Sequence, residues 1–153
     1  MTEIARTSAI AMAISVLLYP TGAISRDLIA LSRFVAPAYT AMNVAAICAK
    51  EDSSFLSTTA GIRGTAIHYA AHVKDETIVG LSDAEARFVL RQAADRAREV
   101  TLVELERLAR RGPVQAEVRM WCQDTVRGFV QYVMNHHDQR HDRWLAAVAR
   151  ARD

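Results

Sequence analysis

Only three prolines occur in this 153-residue chain, and each falls where a helix would start, stop or bend. Proline in a helix interior removes a hydrogen bond and clashes with the preceding turn, so its scarcity leaves long stretches free to be helical. Within those stretches apolar residues recur at three- and four-residue spacing. No segment alternates with a period of two, and no hairpin dipeptide is present. The expected fold class is therefore all-α.

Four helices follow from the punctuation. Arg26–Lys50 carries Leu28, Leu31, Val35, Tyr39, Met42, Ala46 and Ala49 on one face, and Pro37 is expected to kink this helix or split it. After the polar break Glu51-Asp52-Ser53-Ser54, a second helix is expected from about Ser57 to Val79, with Ile62, Ala66, Tyr69 and Val73 inward. Ser82-Asp83-Ala84-Glu85 has the Ser-x-x-Glu spacing of a capping box and opens the third. Its stripe is Ala86, Leu90, Ala93, Ala97, Val100 and Leu108; Gly112 and Pro113 end it and begin the fourth. The fourth carries Val118, Trp121, Cys122, Thr125, Val126, Phe129, Tyr132 and Val133 on one side, and is expected to bend after His137. Short connections between four helices imply an up-down-up-down four-helix bundle.

Residues 1–25 read as an export signal. A short polar start leads into the apolar run Ala9–Tyr19, and Pro20, Gly22 and the small residues Ala23-Ile24-Ser25 follow. That order is the one a secretory signal peptide uses, with cleavage after Ala23 or Ser25. The run is shorter than the ~20 apolar residues that span a bilayer, so no stable membrane insertion is expected after cleavage. The expected mature protein is a single domain, residues 26–153, that works in the periplasm or outside the cell.

Export gives the two cysteines a meaning. In an oxidising compartment an even pair is most simply a disulfide, Cys48 to Cys122. Cys48 closes the first helix and Cys122 lies early in the fourth, which an up-down bundle places at the same end. The Cys-x-x-Cys spacing of redox pairs is absent, and with it the haem attachment Cys-x-x-Cys-His. A net charge of +2 gives no argument for nucleic-acid binding, which needs a strongly basic face.

The histidines carry the one chemical pattern worth following. His68 and His72, and likewise His137 and His141, stand four apart, which on a helix puts two imidazoles on one face within reach of a divalent ion. Asp75, Glu76, Asp138 and Asp142 stand close by as further ligands. Zinc, copper or nickel would suit such sites. The apolar stripe of the second helix, however, turns His68 and His72 toward solvent, where a polar face needs no metal. His136 continues the stripe of the fourth helix and is expected half-buried at the bundle end. Glu104 shares a side with Ala97 and Val100, and Arg119 is its expected partner. The basic stretch Arg140–Arg152 reads as a solvated terminal helix.

No phosphate loop, nucleophile elbow or His-Glu-x-x-His occurs. The expected role is non-catalytic, with no bound cofactor: binding of a protein partner, as a chaperone, inhibitor or immunity protein does. The alternative is a periplasmic protein that binds or senses a divalent metal through His68, His72, His137 and His141.

Overall fold

The computed structural model of the protein describes residues 26–75 and 80–136, together with 142, 143 and 146. Among them every regular element is helical and no strand occurs. Through residue 135 the described residues make four helical rods. The first three are α1 (Arg26–Glu51), α2 (Phe55–Lys74) and α3 (Asp83–Ala109). The fourth joins α4 (Val114–Trp121), a π-helical turn (Cys122–Val126) and α5 (Arg127–Asn135). The signal-like segment 1–25 and the bend expected after His137 lie outside the described residues.

α1 is the centre of the fold. It touches every other helix, most extensively α3 and then α2. Its buried side is built from Leu31, Val35, Ala38, Ala41, Ala45 and Cys48. Of the expected stripe, Leu28, Leu31 and Val35 are buried, Tyr39 and Met42 are half-buried against the same core, and Ala46 is exposed. Alanine announces no face by hydrophobicity, yet its small side chain lets a second helix come close. Pro37 does not divide α1, which is one helix from Arg26 to Glu51. Leu28–Glu51 is also the one described stretch long and apolar enough to cross a membrane; half of its apolar window is buried in the fold, as in a core helix.

α2 begins at Phe55, after an Asx-type turn in which the Ser54 amide donates to Asp52 Oδ1 at 2.8 Å. It ends at Lys74, short of the expected Val79. Phe55, Ile62, Ala66, Tyr69 and Val73 are buried along one side. α3 has the expected capping box. The Glu85 amide donates to Ser82 Oγ at 3.3 Å, and the Ser82 amide donates to Glu85 Oε2 at 2.8 Å. Buried residues of all four rods form one apolar cluster. Each large side chain in it contributes roughly 1.5–3 kcal/mol.

The fourth rod departs from ideal helix at Cys122. There the Arg127 amide donates to the Cys122 carbonyl five residues back, which is the π-helical pattern. One extra residue is thereby taken up in the turn. Val126 and Val133 of the expected stripe are buried together with Val130, Phe129 is half-buried against the same core, and Thr125 and Tyr132 are exposed.

Cys48 and Cys122 form a disulfide across 74 residues, with Cα atoms 5.6 Å apart and both side chains buried. Two arginines of the fourth rod reach the same corner. Arg119 lies 3.9 Å from Glu51, and Arg127 lies 3.6 Å from Asp52 and 2.9 Å from Ser54 Oγ. The α1–α2 connection is thus fastened to the fourth rod covalently and by charge.

Candidate binding cleft

Beside the disulfide, α3 and the fourth rod stand apart and leave a cleft of about 460 Å³ with α1 as its floor. The floor is Thr40 and Val44. The α3 wall is Val100 and Val103, and the facing wall is Trp121, Val126 and Phe129. Arg96, Glu99 and Glu104 stand at the rim. Its size falls in the range of ordinary ligand pockets.

The local structure of each wall explains the opening. On α3 the buried stripe runs Ala93, Ala97, Thr101, Leu108. Thr101 is admitted to the interior because its hydroxyl donates to the Ala97 carbonyl at 2.8 Å. Val100, expected inward, is instead 47% exposed, and Val103 is 60% exposed. On the fourth rod the π-helical turn rotates the stripe and leaves Thr125 and half-buried Phe129 at the mouth. The Thr40 hydroxyl is also committed to its own helix, donating to the Ala36 carbonyl at 2.9 Å. With their hydroxyls so engaged, Thr40 and Thr101 add little polarity to an otherwise apolar lining.

The rim is charged and ordered. Glu104 accepts from Arg107 Nε at 2.8 Å and from Arg107 Nη2. That hydrogen bond holds the Glu104 carboxyl below the usual glutamate range, against a smaller opposing effect of burial. The expected Glu104–Arg119 pair does not form, because Arg107 is one turn away on the same helix and Arg119 turns to Glu51. A second groove, about 510 Å³ and lined by Tyr39, Met42, Leu102 and Leu105 among others, lies beside the α1–α3 contact.

His68 and His72 are not among the residues that line the cleft. His68 and His72 have ring centroids 4.2 Å apart, inclined at 65°, on α2. His137 and His141 lie outside the described residues, as does Glu76. Among the described residues no group of three or more His, Cys, Asp or Glu side chains is close enough to hold a metal ion. His136 is half-buried, stacks on Tyr132 at 4.2 Å, and has Nδ1 3.0 Å from the Tyr132 carbonyl.

Trp121 lies on the inward stripe expected of the fourth helix, but its position as a cleft wall was not expected. A signal was present. Val100, Leu102 and Val103 make α3 apolar over more of its circumference than one neighbouring helix can cover. No known protein family, curated protein or solved structure matches the chain.

Proposed function

We propose that this chain is an exported, non-catalytic binding protein, and that the cleft between α3 and the fourth rod receives a segment of a protein partner. The apolar cleft carries the reading: Val100 and Val103 are left uncovered beside Trp121 and Phe129, in a fold whose corner is locked by a disulfide. A stapled fold limits the reorganisation that binding would otherwise require. The disulfide is also what an oxidising compartment favours, in keeping with cleavage of residues 1–25 and release of a periplasmic or secreted domain.

An up-down-up-down arrangement belongs to the same proposal. Cys48 meets Cys122 while Thr40 lies beside Phe129, which supports opposite directions for α1 and the fourth rod. Site-specific photo-crosslinking in cells tests the binding role. A crosslinker at Val103 should give a discrete adduct that one at Arg91 does not, and Val100→Asp should remove it. Adducts indifferent to position, or hydrolytic turnover in a substrate panel, would overturn the reading.

The second reading is metal binding. It rests on the 4.2 Å approach of the His68 and His72 rings, with His137 and His141 as the other expected pair. Calorimetric titration with zinc, copper and nickel decides it. Dissociation constants above about 1 mM (~4 kcal/mol), or values unchanged in a His68→Ala, His137→Ala double variant, would dismiss it.

A further inference from the structure

The cleft has a direction. A neighbouring depression of about 340 Å³ shares Thr40, Arg96, Val100 and Phe129 with it and extends it to Arg33 and Pro37. Together they make one trough along α1 from Arg33 to Val44. At ~1.5 Å per residue that stretch is about 16 Å long, three turns of a helix laid against it. Its body is apolar, and its ends differ in charge. Arg33 and Arg96 stand at one end, both exposed. Glu99 and Glu104 lie further along α3 toward the other. The ion pairs among the described residues engage neither arginine. Glu104, by contrast, is already held by Arg107. The strongest uncommitted charge on the trough is therefore the cationic end.

From this polarity we infer that the partner segment is an amphipathic helix that docks with its C-terminal turn, carrying carboxylates, against Arg33 and Arg96. The inference rests on the cleft being the binding site. A helix carries partial negative charge at its C-terminus and partial positive charge at its N-terminus. Docked this way, its negative end meets the two arginines and its positive end lies toward Glu104. Its apolar residues at i, i+3, i+4 and i+7 face Val44, Val100, Trp121 and Phe129, the usual manner of a helix in a groove. The docked helix then runs antiparallel to α1. The reverse orientation would set a helix N-terminus and two arginines against one another.

Two synthetic 16-residue peptides with one leucine stripe test this. The first has Asp-Glu in its last turn and Lys-Lys in its first; the second exchanges them. Binding is followed by calorimetry and by Trp121 emission in the full chain carrying Trp144→Phe. The first peptide should bind roughly tenfold more tightly (~1.4 kcal/mol). An Arg33→Glu, Arg96→Glu variant should invert the order, and Arg33→Gln, Arg96→Gln should erase it; circular dichroism confirms that both fold. Equal binding of the two peptides, lost in Val100→Asp, would overturn the orientation and leave the cleft as the site. Binding of neither, or binding that survives Val100→Asp, would overturn the cleft reading too.

Discussion

The guanidinium carbon of Arg127 lies 4.6 Å from the centre of the Phe55 ring. Arg127 opens α5 and Phe55 opens α2, so one side chain binds the two helix starts together. The same guanidinium donates to Ser54 Oγ at 2.9 Å. A cation over a partly desolvated aromatic face is worth about 1 kcal/mol. Arg127→Ala should lower stability by about that amount, read as a shift of the urea midpoint with unchanged slope. Arg127→Met, which keeps much of the apolar stem, should lose nearly as much if charge is what matters.

The Cys48–Cys122 bridge should dominate the resistance of the fold to denaturant. Closing a loop of this length removes about 4 kcal/mol of unfolded-chain entropy. Reduction with dithiothreitol under partly denaturing conditions, or a Cys48→Ala, Cys122→Ala variant, should lower the urea midpoint accordingly. Mass spectrometry of the untreated protein should find two hydrogens fewer than the dithiol. An unchanged midpoint would show that packing at this corner suffices without the bond.

Three glycines within the helices should separate by surroundings. A Cβ added at Gly64 or Gly128 meets nothing within 4 Å, so alanine there should stabilise by about 0.5–1 kcal/mol through helix propensity alone. At Gly61 the added Cβ would come 2.6 Å from Met134 Cε. Displacing that flexible side chain should cancel much of the gain. Thermal melts of the three variants should rank Gly61→Ala last, and Met134→Ala should narrow the gap.

The capping box predicts an acid-dependent loss of stability. Hydrogen bonds from Ser82 depress the Glu85 carboxyl below its ordinary value of 4.5. Bonds from Ser54 likewise depress Asp52, with a smaller contribution from Arg127. A carboxyl with a depressed folded pKa contributes stability that is fully present above its unfolded pKa and disappears as pH falls through the folded one. The contribution of these two carboxyls to the unfolding free energy should therefore be flat with pH above about 5 and drop below 4. Ser82→Ala should cost about 1 kcal/mol at neutral pH and flatten part of that acid limb.

Some of this architecture was legible in the chain and some was not, for identifiable reasons. The α3 start was readable because Ser82 and Glu85 satisfy each other locally, without help from the rest of the fold. The bridge was readable because two cysteines admit one pairing. The α2 stripe stood out since Ile62, Tyr69 and Val73 are large and regularly spaced. The inward side of α1 was not, because Ala38, Ala41 and Ala45 carry little hydrophobic signal and only their neighbours choose between them and Ala46. The cleft depended on which of Val100 and Thr101 turns inward. That choice is made by packing against α1 together with the Thr101 hydroxyl bond to Ala97.

The π-helical turn has a consequence for how the chain tolerates changes of length. Cys122–Val126 contains one residue more than a uniform α-helix would need to join the same two faces. Gln123, Asp124 and Thr125 are all exposed there. Deleting any one of them should convert the turn to ordinary α-helix and still leave Val126, Val130 and Val133 inward. A single deletion within α5 has no such reserve and would swing every following residue by about 100°. One residue among these three adjacent positions is thus spare in number, while their neighbours are fixed by phase.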